Sequence, residues 1–224
     1  MKAIVFDFNG TMFMDTDKHR LAWNEFFAKM IGRPLTEEEF RVYACGPGVD
    51  TIIRRFYHAD LDAAQIDALC EEKEAIYRRL CREDVENLRL AGGLPALLDR
   101  LKAAGVPMAI ATGARRSNMD FYMEAFGLER WFDWDHIIYD DGTLPGKPAP
   151  DVYLCACARL DVAPGDCVVV EDSFAGIESA NAAGVGGIIA ITATNSRQEL
   201  AALPGVRAVI DDYCHFSENF APVA

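Results

Sequence analysis

Short apolar runs recur along this chain, and most are followed by a helical pattern. They are Lys2–Phe8 (KAIVFDF), Val106–Ala111 (VPMAIA), Cys167–Val170 (CVVV), Gly187–Ile191 (GIIAI) and Ala208–Ile210 (AVI). A continuous apolar run of this length reads as a strand buried on both faces. Helical patterns lie between them at Leu94–Ala104, Ser117–Phe126, Val152–Leu160 and Ala175–Ala183. Gly105, Gly127 and Gly184 close three of these helices where a left-handed cap is wanted. Strand and helix alternating in this way imply an α/β fold, a doubly wound parallel sheet of the Rossmann-like kind.

One interval breaks the alternation. Between Asp15 and Asn87 the chain shows helical spacing alone: His19–Met30, a capping-box start at Thr36 with Glu39, then Ile52–Tyr57 and Leu61–Leu80. Ala91-Gly92-Gly93 returns it to α/β alternation. The division expected is therefore an α/β core of residues 1–14 and 88–224, with residues 15–87 inserted as an all-helical unit. An insertion directly after the first strand is placed to act as a lid on the carboxyl edge of the sheet, where open α/β folds bind ligands.

Composition narrows the function. With 224 residues, 51% hydrophobic and 25% charged, the chain has the make-up of an ordinary globular protein. A net charge of −13 argues against nucleic acid as a partner, because such binding needs clustered Lys and Arg. No apolar run is long enough to span a bilayer, so no membrane partner is expected. Seven cysteines without a CxxC pair or Cys/His metal spacing read as small buried hydrophobes in a reducing, cytoplasmic setting. Gly142 to Lys147 is no P-loop, since it is one residue short and Pro148 stands where a metal-holding hydroxyl is needed.

Four features at strand ends carry the chemistry. Asp7-Phe8-Asn9-Gly10-Thr11 is an acid leaving a strand into a glycine turn. Ala111-Thr112-Gly113 places a hydroxyl and backbone donors at the end of another strand. Gly146-Lys147-Pro148-Ala149-Pro150-Asp151 holds a lysine in a stiff loop, and Val170-Glu171-Asp172-Ser173 ends a strand on adjacent acids. A carboxylate can take a phosphoryl group only if the repulsion between two anions is screened. Mg2+ does this with few carboxylates plus waters and phosphate oxygens. Asp7 and Asp172 are the candidate carboxylates, with Glu171 beside them directly or through water. Lys147 adds a compact positive charge that orients Asp7 and neutralises the transferring group. Thr112 and the Gly113 amide are candidate donors to phosphate oxygens, and Gly10 and Thr11 complete the turn expected to line it.

With these motifs in order (DFNGT, ATG, GKPAPD and VEDSFAGIESANAAG) the chain resembles the haloacid dehalogenase superfamily, near its beta-phosphoglucomutase-like phosphatase branch. The resemblance implies Asp7 as a nucleophile forming an aspartyl-phosphate. It implies magnesium on Asp7, the Asn9 carbonyl and Asp172, and the roles above for Thr112 and Lys147. It also implies that residues 15–87 are a helical cap that sets specificity. There Thr16, His19 and Trp23 resemble family positions near the hinge and substrate, and Lys73 resembles a cap lysine reaching into the cleft. Gly46, in Gly46-Pro47-Gly48, reads as a turn that the resemblance places near the substrate.

One residue departs from the pattern. Relatives carry a second aspartate two residues after the nucleophile as general acid/base, and here that residue is Asn9. An amide cannot shuttle a proton, and losing a positioned acid/base typically costs on the order of 100- to 10,000-fold. Three explanations stand side by side: another group such as His19 or a water takes the role, the asparagine is an engineered trap, or the chain binds phosphate and turns over poorly. The expected function is a magnesium-dependent phosphatase acting, as a monomer, on a small phosphorylated metabolite. A phosphosugar mutase and a nearly inert phosphate-binding protein are the alternatives. Dehalogenation needs no metal and would leave Glu171 and Asp172 without a purpose. Phosphonate cleavage needs a cap lysine where Cys45 stands.

Overall fold

A computed structural model describes residues 2–44, 48–57 and 60–216, without the side chain of Arg41. In chain order β1 (Ala3–Phe6) leads to α1 (Thr16–Ile31), a single turn α2 (Glu37–Glu39), α3 (Val49–Phe56) and α4 (Ala63–Glu83). Then come α5 (Leu94–Ala103), β2 (Met108–Arg115), α6 (Arg116–Phe126), β3 (Ile137–Asp140), α7 (Asp151–Arg159) and β4 (Cys167–Glu171). The chain ends with α8 (Phe174–Ala182), β5 (Gly187–Ile191), α9 (Arg197–Ala201) and β6 (Val206–Ile210). It divides into two compact units, Met1–Met14 with Arg89–Ala224, and Asp15–Leu88.

The first unit is a six-stranded, wholly parallel sheet in the order β3-β2-β1-β4-β5-β6. The order runs outward from β1 in one direction through β2 and β3, and in the other through β4, β5 and β6. Right-handed crossovers in opposite directions put helices on opposite faces, which is the doubly wound arrangement. β1 and β4 are neighbours at the reversal, with Val5 opposite Val169 and Phe6 opposite Val170. Both are fully buried, consistent with their unbroken apolar sequences. Ala3 and Val5 share one cluster with Tyr153 and Ala156 of α7 and Ile177 and Ala180 of α8.

Two elements of this unit escape a reading by apolar runs. β3 has only Ile137 and Ile138 as buried residues and sits at the sheet edge, where a strand needs one inward face. α9 is a five-residue helix held by a Ser196–Glu199 capping box. β2 also runs on to Arg115, past the expected end at Ala111, with a register shift between the two positions. That irregularity carries Thr112 and Gly113. The six described cysteines outside residues 45–47 are all free, and Cys70, Cys81, Cys157 and Cys167 are buried. No helix among the described residues is long and apolar enough to cross a membrane.

The described residues of the second unit form helices joined by turns, with no strand among them. Its core joins Trp23, Phe26 and Phe27 of α1 to Ile52 and Ile53 of α3 and Ile66 and Cys70 of α4. Thr36 and Glu39 form the expected capping box, with Thr36 Oγ1 accepting from Glu39 N at 3.1 Å and Glu39 Oε2 accepting from Thr36 N at 2.8 Å. α4 begins on a second box, Asp62 with Gln65, so its start lies at Ala63. Lys18 pairs with Asp84, tying the beginning of α1 to the end of α4.

Phe27 is fully buried, its ring 5.3 Å from both Trp23 and Phe56. Phe27→Ala removes the aromatic that links α1 to α3, and is expected to lower the unfolding free energy by about 3–5 kcal/mol in urea titration.

Candidate active site

The carboxyl ends of β1 and β4 meet at the reversal of strand order, and the acids of the first and fourth motifs project there. Asp7 follows β1 and is tied to β4 by its own amide, which donates to Val170 O at 3.0 Å. Glu171 is the last residue of β4 and Asp172 the next. Carboxylate oxygens of Asp7, Glu171 and Asp172 lie within 4.8 Å of one another, and all three residues are buried. The Phe8–Phe13 turn brings Thr11 round so that its hydroxyl donates to Asp172 Oδ1 at 3.1 Å. Gly10 makes the turn possible. Its φ is 75°, and a Cβ there would lie 2.4 Å from Asp172 Oδ2.

Lys147 closes the cluster. Its Nζ donates to Asp7 Oδ1 and to Glu171 Oε1, each at 2.7 Å, and to Ala111 O at 3.2 Å. The proline-flanked loop is held from below, where Ser179 Oγ of α8 donates to Ala149 O at 2.6 Å. Glu171 is fully engaged. Oε1 also accepts from the Tyr153 hydroxyl at 3.0 Å, and Oε2 accepts from Asp172 N, Ser173 N and Ser173 Oγ at 2.7, 2.8 and 3.0 Å.

Burial sets the electrostatics. It drives the Asp7 carboxyl up from its ordinary range to about 7, helped by Glu171 and opposed by Lys147. Asp172 is raised well above the ordinary value by burial, then by Glu171 and Asp7. Burial acts on Glu171 too, but Lys147 and the Ser173 donors overcome it and hold that carboxyl below its ordinary value. Lys147 is stabilised as ammonium against its own burial by Asp7 and Glu171. Three buried carboxyl groups thus share one cation, which is too little positive charge for all three to ionise.

The remaining candidates fall into three groups. Thr112 is buried beside this cluster, accepting from Ala114 N at 3.0 Å, with its hydroxyl 3.5 Å from Asn9 Oδ1. Asn9 Nδ2 donates to the Tyr122 hydroxyl at 2.7 Å. Gly113 is exposed, with open space where a side chain would stand. In the helical unit, Thr16 opens α1, and His19, Trp23 and Lys73 lie together. Lys73 Nζ is 2.8 Å from His19 Nδ1 and 4.8 Å from the centre of the Trp23 ring. His19 stacks on Tyr77 at 4.0 Å, and its Nε2 is 3.5 Å from Asp15. Trp23 is a core residue of that unit. Gly46 lies outside the described residues.

Several supporting groups gave no sequence signal. Tyr122 and Tyr153 lie in α6 and α7, and only the fold turns their hydroxyls toward Asn9 and Glu171. Asn195, which donates to Asp172 O at 3.1 Å, comes from a loop far along the chain. Ser173 caps α8, its hydroxyl accepting from Gly176 N at 3.1 Å.

Known proteins share this arrangement of elements. The haloacid dehalogenase-like hydrolase family model matches residues 1–184. The chain is similar to Protein CbbY of Rhodobacter capsulatus, 32% identical over 189 residues and 83% of each chain. It is 30% identical over 185 residues to fructose-1-phosphate phosphatase YqaB of Escherichia coli K12, spanning 82% of this chain and 93% of that one. A solved family IA, variant 3 hydrolase of this group from Entamoeba histolytica superposes with a TM-score of 0.90 at 34% identity, covering 98% of this chain and 96% of that one. The chain belongs to the haloacid dehalogenase-like hydrolase family.

Proposed function

We propose that this chain is a magnesium-dependent phosphatase of small phosphorylated metabolites, with Asp7 as its nucleophile. The bridging of Asp7 and Glu171 by Lys147, with Asp172 alongside, carries the reading. The class of substrate is supported by relatives such as fructose-1-phosphate phosphatase YqaB. A mutase needs proton transfer in both directions, and Asn9 offers neither, so hydrolysis is the better reading. The enzyme acts in the cytoplasm as a monomer, and the helical unit selects the substrate through residues such as Thr16, His19, Trp23, Lys73 and the turn at Gly46.

The donor set fits magnesium. Hard oxygen ligands are gathered at one point, buried, with one ammonium for three carboxylates. Asp7, Asp172 and the Asn9 carbonyl are the residues that would hold the ion. Glu171 has both oxygens filled, so its part is to anchor Lys147 and its contribution to the ion is indirect. Magnesium, when bound, supplies positive charge against the phosphate oxygens. Asp7 Oδ attacks phosphorus, and Lys147 holds that carboxylate in line while offsetting the incoming charge. Thr112 and the Gly113 amide donate to phosphate oxygens, and Gly10 and Thr11 line the phosphate where the backbone passes close. Water then releases phosphate from the aspartyl-phosphate on Asp7.

The shifted carboxyls tie stability to pH and to the ion. A folded Asp7 that titrates near 7 binds more protons than an unfolded one between about 4 and 7, so stability falls as pH rises through that window. Asp172 acts in the same sense. Glu171, shifted the other way, matters only below its ordinary 4.5. Without divalent cations the melting temperature is expected to drop between pH 5 and pH 8. Added Mg2+ is expected to restore more of it at pH 8 than at pH 5; an equal gain at both would contradict a site built on Asp7 and Asp172.

Asn9→Asp is expected to raise magnesium-dependent hydrolysis of sugar phosphates by on the order of 100- to 10,000-fold. Asp7→Asn abolishes it. The measurement is phosphate release with and without Mg2+, and an unchanged rate in Asn9→Asp would mean that another group already moves the proton.

A further inference from the structure

Asn9 stands two residues after the proposed nucleophile Asp7, and what its side chain can supply limits which phosphate bonds the chain can break. Its amide is held at both ends. Nδ2 donates to the Tyr122 hydroxyl at 2.7 Å, and the Thr112 hydroxyl donates to Oδ1 at 3.5 Å. Tyr122 is itself fully buried, with its ring 4.2 Å from Phe8 and nearly parallel to it at 18°. A carboxamide has hydrogen-bonding hydrogens but none that it gives up to a leaving oxygen. Asn9 therefore fixes geometry without supplying a proton.

Among the described residues, several proton-bearing groups of the site are already engaged elsewhere. Lys147 is shared among Asp7, Glu171 and Ala111 O. The Tyr153 hydroxyl donates to Glu171, and the Thr11 hydroxyl to Asp172. In the helical unit His19, the natural substitute, has Nδ1 at 2.8 Å from Lys73 and Nε2 at 3.5 Å from Asp15. Both of its ring nitrogens face partners of their own unit.

We infer, building on the phosphatase reading above, that the chain is selective for phosphates carried on oxygens that depart as stable anions. Acyl phosphates come first, then aryl and anomeric phosphates, and esters of ordinary alcohols come last. In the first step an Asp7 oxygen bonds to phosphorus while the bond from phosphorus to the leaving oxygen breaks. The electron pair stays on that oxygen, which leaves as carboxylate or phenolate and takes any proton from solvent. In the second step water bonds to phosphorus, the Asp7–phosphorus bond breaks, and the products are the Asp7 carboxylate and dihydrogen phosphate. General-acid help matters little when the leaving anion is already stable, and most when it is an alkoxide.

The test uses acetyl phosphate, a series of substituted phenyl phosphates and glycerol phosphate, with the full-length protein and Mg2+. kcat/KM is measured for the unaltered chain, Asn9→Asp and Asp7→Asn. The expected result is a steep fall in the unaltered chain from acetyl phosphate to glycerol phosphate. Asn9→Asp is expected to recover on the order of 100- to 10,000-fold at the glycerol end and little at the acetyl end. A fall no steeper in the unaltered chain than in Asn9→Asp, or an equal gain across the series, overturns this inference while leaving the phosphatase reading in place. Absence of any turnover that Asp7→Asn abolishes overturns the phosphatase reading, and this inference with it.

Discussion

The Lys147 ammonium, set between the Asp7 and Glu171 carboxylates, is the contact on which the rest of the site depends. Carboxylates within 4.8 Å of one another cannot all ionise in a buried place without a counter-charge. The chain arranges several elements to hold that one cation. Glu171 turns its other oxygen onto the amides of Asp172 and Ser173, just ahead of α8, where the helix favours negative charge. Gly176 lets it lie there, because a Cβ at that position would stand 1.6 Å from Glu171 Oε1. Ser179 of the same helix grips the loop that carries Lys147. A lost Lys147 would strand two buried anions, and breaking such a pair typically costs about 3–5 kcal/mol.

Sheet topology makes this gathering possible. The reversal of strand order places β1 and β4 side by side although Asp7 and Glu171 lie 164 positions apart in the sequence, and it opens a crevice at their carboxyl ends. The helical unit leaves the first unit after Met14 and returns at Arg89. The return is stitched by Ala91 N donating to Met12 O at 2.8 Å. An insertion of this size thus costs the core little, since its two ends are already close in the first unit.

What could be read from sequence follows from how local each signal is. Asp7, Lys147, Glu171 and Asp172 stand in short motifs whose turn residues announce a strand end, so their meeting place was legible. The apolar strands were legible for the same reason. β3 was not, because an edge strand of four residues with two buried isoleucines has too short a pattern. Tyr122, Tyr153 and Asn195 were not, because each helps through a hydroxyl or amide at a distance that only the fold closes. Glu171 stands in a motif beside Asp172, but that both of its oxygens are filled depends on Tyr153 and on the turn into α8.

The asparagine at position 9 has a logic in this electrostatic setting. A carboxylate there would bring a fourth acid to a cluster in which burial already raises Asp7 to about 7 and Asp172 well above its ordinary range. An amide relieves that load. It also fits between a hydroxyl that donates and one that accepts, Thr112 on one side and Tyr122 on the other. Charge relief and proton supply are therefore opposed at this one position. A carboxyl group provides the second at the expense of the first, and this chain has taken the other side.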